Sequence, residues 1–176
     1  MPAMPTLILI KAAAVAAWRL SASSDVERTM QDQIEGMPLP GPDLCSEAEV
    51  QALVETFYRR VRADADLSAV FAAHIEDWDA HQQQLCDFWS AMLRGTRRFR
   101  GAPMPRHMAM RELSALLFQR WLGLFRATTA ELPNMPMRLL ADDIAQRIAE
   151  TFWRRHQMSW RPFEPASPLP PAACAD

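Results

Sequence analysis

Cysteine is too scarce to build with. Cys45, Cys86 and Cys174 are odd in number and far apart, which excludes a disulfide framework and a zinc knuckle. Neither charge dominates: 19 Lys and Arg against 21 Asp and Glu leave a net charge of −2. That balance excludes a protein that works by neutralising nucleic-acid phosphates, which needs a basic surplus. The apolar stretch from Leu7 to Trp18 is broken by Lys11 and is shorter than the ~20 apolar residues of a membrane-spanning helix. Its likeness to a secretory h-region is weak, because no positive charge precedes it and the lysine lies inside it. Motifs of common enzyme classes are missing as well. There is no phosphate-cradling G-x-x-x-x-G-K-S/T, no dinucleotide-binding G-x-G-x-x-G and no zinc-binding H-E-x-x-H. The inward glutamates and Glu-x-x-His pairs of a di-iron bundle are absent too.

Chain breakers are unevenly spread. Ten of the 14 prolines lie in residues 1–45 and 159–176, and the 113 residues between them hold four prolines and three glycines. The folded domain is therefore expected at residues 46–158, which is small but long enough to fold alone. Residues 1–45 are expected to be a poorly ordered extension with a linker at Gly36–Pro42. An exported leader or translation from an upstream start codon are the alternatives for it. Residues 159–176 read as a Pro-rich, extended or disordered tail.

What is present is helical periodicity. Ser46-Glu-Ala-Glu49 is a capping-box pattern. It opens a face of Val50, Leu53, Val54, Phe57, Tyr58 and Val61, spaced 3, 1, 3, 1, 3 as one side of a helix requires. Asp64 to Phe71 suits a short helix or turn. A second face runs through His81, Leu85, Phe88, Trp89, Met92 and Leu93 and is ended by Gly95. Residues 94–110 then read as an irregular basic stretch. A third face is Leu113, Leu116, Leu117, Trp121 and Leu124, and a fourth is Leu140, Ile144, Ile148, Thr151 and Phe152. Asp142 and Asp143 are expected to start that last helix, where acidic side chains favour the dipole. No useful length alternates as a strand would, so the fold class is all-α with about four major helices.

Four polar or titratable groups fall on apolar faces or in the basic stretch. His81 lies in line with Leu85, Phe88 and Trp89, and His107 lies among Met104, Met108 and Met110. Tyr58, the only tyrosine, and Trp121 sit on core faces. Each alone reads as a packing or surface residue. Together they suggest a shared polar ligand in an apolar pocket, because a buried Tyr O–H or Trp N–H needs a partner.

These residues fall within ordered motifs that resemble group III truncated haemoglobins. Phe57-Tyr58, Val61-Arg62, Asp64, Leu67 and Phe71 resemble the helix B and C region of that group. Trp78-Asp-Ala-His81 resembles its W-x-x-H at the start of helix E, continued by Phe88-Trp89-Ser-Ala-Met-Leu93 and Gly95. Gly101-Ala-Pro103-Met-Pro-Arg-His107 resembles the segment that ends in the proximal histidine, and Phe118, Trp121-Leu-Gly-Leu-Phe125 resembles its helix G. The likeness covers about residues 46–157. Groups I and II carry paired glycines, and this chain has no Gly-Gly. It departs from group III at Met108-Ala-Met110-Arg111, where a Leu- and Pro-containing run is more usual.

The resemblance implies a truncated globin, a two-over-two helical sandwich holding haem b. His107 is then the proximal iron ligand, and Tyr58, His81 and Trp121 line the distal side. Phe71, Phe88 and Trp89 pack around the porphyrin. Arg100 and Arg106 pair with its propionates, or else form a solvated basic loop. The implied function is binding of O2 and other diatomics such as NO, with NO-detoxifying or peroxidase-like chemistry and a reductase to recycle the iron. A cytoplasmic monomer without nucleic-acid or membrane partners is expected. The rival is a cofactor-free helical interaction module with structural histidines.

Overall fold

The computed structural model describes residues 38–171. The expectation for the N-terminal extension lies almost wholly outside them, as do the last five residues of the Pro-rich tail. Six helices follow one another, and no strand occurs among the described residues. They are α1 (Glu47–Ala63), α2 (Ala65–His74), α3 (Trp78–Arg94), α4 (Pro103–Ala109), α5 (Ala115–Thr129) and α6 (Met135–Trp160).

Caps set the boundaries. Ser46 Oγ accepts from the Glu49 amide at 3.2 Å while the Glu49 carboxylate accepts from the Ser46 amide at 2.7 Å, the reciprocal box that its sequence encodes. Asp64 ends α1 and caps α2, accepting from the Leu67 amide at 3.0 Å. Its carboxylate also takes the Arg120 Nε at 2.7 Å, tying that corner to α5. Asp77 caps α3, which ends at Gly95 with φ 71°, a left-handed conformation that glycine adopts without steric cost. Asn134 caps α6 through the Met137 amide, and its own amide group donates to the Leu44 carbonyl and to Glu49 at 2.9 Å each. One side chain thus joins the start of α6 to the start of α1.

Helix α1 packs on α3 and α5, and α5 packs on α6, so two helix pairs are laid together. All six apolar residues read as one face of α1 are buried. Phe57 sits at the centre of a ring cluster with Tyr58, Trp121 and Phe125 at centroid distances of 4.8, 5.3 and 5.2 Å. Trp89 stacks on Phe125 at 4.9 Å and closes the core from α3.

Four expectations change. Residues 94–110 are not irregular throughout, because α4 occupies 103–109. Pro103 is its first residue and Pro105 its third, where backbone N–H groups lack intrahelical partners anyway, so neither proline breaks it. Asp142 and Asp143 lie in the second and third turns of α6, not at its start, since Asn134 and Pro136 begin the helix earlier. Asp142 instead accepts from the Thr129 hydroxyl of α5 at 2.7 Å. The buried side of α5 is Phe118, Leu122 and Phe125, and Leu116 is 69% exposed. The leucine spacing alone points to a face rotated from this one. In α6 the innermost row is Met137, Ala141, Ala145 and Ala149, while Ile144, Ile148 and Phe152 are half-buried and Thr151 is exposed. Alanines at every fourth position permit close approach between helix axes.

Beyond α6, residues 161–171 have no helix or strand. Gln157 accepts from the Ser167 amide and hydroxyl, Gln119 donates to the carbonyls of Pro170 and Pro171, and Leu169 is buried. No helix of the described residues is long and apolar enough to cross a membrane.

Candidate functional site

A cleft of about 1060 Å3 opens between the α2–α3 corner and the segment leading through α4. That is at the upper end of the ~300–1,000 Å3 usual for small-molecule and cofactor sites. His81, Arg100 and Arg106 line it, with His74, Phe99 and Met110. Neither Arg100 nor Arg106 forms an ion pair with another described residue.

Helices α1, α2 and α3 bring one set of rings together. Tyr58 projects from the core face of α1, and His81 stands one turn into α3. Their rings lie 5.6 Å apart, nearly perpendicular. Phe71 of α2 is 5.8 Å from Tyr58 and 6.4 Å from His81. Trp78 stacks on Phe71 at 6.2 Å and carries the Arg62 guanidinium 5.0 Å from its ring. Burial pushes the Tyr58 phenol well above its ordinary pKa, and the nearby Trp121 indole opposes that in part. Tyr58 is therefore a protonated donor at neutral pH. Burial, reinforced by the positive charge of Arg106, lowers the pKa of His81. His81 is thus neutral at neutral pH. Its Nε2 is buried without a partner among the described residues, in common with Thr96 Oγ1 and Trp153 Nε1. Such an atom costs about 1–3 kcal/mol unless something completes it.

His107 stands on α4, its ring 4.5 Å from Phe152 of α6. Its Nδ1 lies 2.8 Å from the carbonyl oxygen of Pro103, one turn back. A carbonyl only accepts, so Nδ1 carries the proton and Nε2 keeps a free lone pair. Burial also lowers the pKa of His107, against the opposing bond to Pro103, which keeps the ring neutral as metal ligation requires.

Among the described residues no three His, Cys, Asp or Glu side chains come together as a metal site. The cleft is lined by His81, Arg100 and Arg106 but not by His107, Tyr58, Trp121, Phe71, Phe88 or Trp89. The His107 imidazole, on the residue after Arg106, suits a metal that brings most of its own ligands, as haem iron does. The donor set, the unpartnered His81 nitrogen and the uncommitted arginines all fit that group. Phe71 stands with the Tyr58 and His81 rings, and Phe88 is half-buried against Phe99 at 5.2 Å. Trp89 lies in the core between Phe88 and Phe125. Trp121 joins Tyr58 through Phe57, on which both rings pack edge-on.

Several contributors escape sequence reasoning. Phe152 reads as ordinary core, and nothing in periodicity singles out Phe99, His156 or Trp160. Trp78 is visible only as part of its motif. The spacing of 152, 156 and 160, four residues apart, is the one available signal.

The sequence profile of the bacterial-like globins matches residues 43–151. The group 3 truncated hemoglobin ctb of Campylobacter jejuni is 31% identical over 111 residues, covering 61% of this chain and 87% of that protein. A crystal structure of group III truncated hemoglobin from Campylobacter jejuni superimposes with a TM-score of 0.60 at 28% identity, over 68% of this chain and 95% of that one. With the two helix pairs and the short helix before α5, these matches place the chain in the globin family, among the group III truncated haemoglobins.

Proposed function

We propose that residues 46–158 form a haem-binding domain that takes O2 and other diatomic ligands, NO among them. The observation that carries this is the His107 imidazole, oriented by its Nδ1–H bond to the Pro103 carbonyl with Nε2 left free. Such a bond fixes the tautomer and ring direction of a metal-ligating histidine and raises its basicity. His107 would hold the haem, whose iron would supply the chemistry of diatomic-ligand binding.

The rest of the work falls to the chain. Tyr58 O–H and Trp121 N–H offer two donors to a ligand that gathers negative charge. His81 Nε2 is a third polar atom of the distal space, without a partner among the described residues. Arg100 and Arg106 line the cleft and are suited to the propionates, while Phe71 and Phe88 offer apolar surface. Trp89 backs that surface from the core. A donor-rich pocket favours holding or activating a ligand over quick release, which supports NO conversion or peroxidase-like chemistry, with a reductase as partner. The expected form is a cytoplasmic monomer.

The test is an absorption spectrum of the purified chain after haem is supplied. A Soret band is expected, and His107→Ala should abolish stable uptake. No band in the wild type would return the chain to the cofactor-free interaction module. A normal five-coordinate ferrous spectrum in His107→Ala would overturn the axial assignment.

A further inference from the structure

Helix α4 has little of its own to hold it in place. It is seven residues long, has no side-chain hydrogen bond at its N-terminus, and none of its residues is fully buried, His107 being half-buried. A helix this short is marginal in isolation. One stripe of α6 supplies what it lacks. Phe152, His156 and Trp160 stand above one another on that helix, and each meets α4 at a different point. Phe152 packs on the His107 ring. His156 Nε2 donates to the Met110 carbonyl at 2.9 Å, and Trp160 Nε1 donates to the Met108 carbonyl at 3.1 Å. Since a carbonyl only accepts, His156 carries its proton on Nε2. His156 is 6% exposed, and the Arg111 guanidinium lies 4.5 Å from the Trp160 ring.

The two gripped carbonyls are the C-terminal ones, which have no intrahelical partner. Met108 follows His107 directly, and the Met110 amide donates back to the His107 carbonyl at 3.3 Å. Any shift of these carbonyls moves the backbone that carries the imidazole. We propose that His156 and Trp160 are positioning residues, which hold the end of α4 by its carbonyls and thereby fix where His107 Nε2 points. This rests on the reading of His107 as an axial haem ligand. Groups that orient a metal ligand are typically worth 10–100-fold in metal affinity. Action through the backbone puts the effect near the lower end of that range.

The test uses the full chain as wild type, His156→Gln, His156→Phe and Trp160→Phe. Amide hydrogen exchange across residues 106–110 is followed in the haem-free protein. The iron–histidine stretching band and the rate of haem transfer to apomyoglobin are followed in the ferrous, haem-loaded protein. His156→Phe and Trp160→Phe should each speed exchange, shift the band and release haem about tenfold faster. His156→Gln, whose amide can donate to the same carbonyl, should restore wild-type values. Wild-type exchange and band position in both Phe variants would overturn the proposal, as would a Gln variant no better than Phe. If His156→Phe does not fold, Trp160→Phe decides, because Trp160 is 40% exposed. A wild-type chain that takes up no haem removes the axial-ligand reading itself, an outcome distinct from haem-loaded variants that behave as wild type.

Discussion

Replacing Tyr58 by phenylalanine removes a hydroxyl and little else. The ring is 4% exposed and packs edge-on against Phe57, Phe71 and His81 at 4.8, 5.8 and 5.6 Å. Phenylalanine keeps those contacts, so the cavity cost of a large-to-small change does not arise. Burial keeps the phenol protonated, so on the proposed function what is lost is a hydrogen-bond donor to the bound ligand. A hydrogen bond to a charged acceptor is worth about 1.5–3 kcal/mol. At 1.36 kcal/mol per tenfold in rate, O2 should dissociate about 10- to 160-fold faster. Trp121→Phe should act in the same direction, because its indole stands close enough to Tyr58 to oppose the rise in the phenol pKa and the two donors share one environment. The two substitutions should therefore not add, with a coupling of about 0.5–3 kcal/mol as for residues in one network. Stopped-flow displacement of O2 by CO from the ferrous protein measures all three variants. Unchanged dissociation in both single variants would refute the assignment of Tyr58 and Trp121 as ligand donors.

Two further outcomes concern the frame of the site. Glu47 accepts from Arg98, Ser90 and Arg94, and these contacts, Arg98 foremost, hold its carboxyl down to about 2 from 4.5. A carboxyl depressed in the folded state contributes stability above its unfolded pKa and loses it as pH falls toward the folded value. Acid melts should therefore show wild type losing stability between about pH 4.5 and 2 and Glu47→Gln losing less over that window; parallel curves would discount the network, whose members are partly solvent-screened. At Gly101, an added Cβ would lie 2.5 and 2.7 Å from Phe99 ring atoms and 2.9 Å from Gln84 Nε2. Gly101→Ala should displace Phe99, which lines the cleft, and weaken haem uptake in a titration more than it lowers the melting temperature. Unchanged uptake would show that Phe99 moves aside freely.

Local chemistry makes much of the frame legible in the sequence. Capping depends on residues three apart, so Ser46 and Glu49 announce the start of α1 by themselves. The six-residue face of α1 is equally plain, since one helix side is buried along its whole length. The face of α5 is misleading because Leu116 and Leu124 look as apolar as Phe118 and Phe125, and only neighbouring helices choose between them. The alanine row of α6 escapes periodicity for a related reason. Small residues carry a weak hydrophobic signal, yet these are among the most completely buried residues of the helix. Helix α4 hides behind two prolines whose cost depends on where a helix begins.

At the site, Tyr58, His81, His107 and Trp121 stand out in sequence because their polar atoms sit on apolar faces or in a family motif. Their partners do not. The Pro103 carbonyl that selects the His107 tautomer is backbone, and a backbone atom has no residue identity to read. His156 lies 46 residues from Met110 and Trp160 lies 52 from Met108. By itself, then, the sequence determined an all-α chain, its caps and the polar residues placed on its apolar faces, because those follow from short-range periodicity and composition. The cleft and the contacts of α6 with α4 were decided by tertiary structure alone, because each depends on atoms that meet only when distant helices pack.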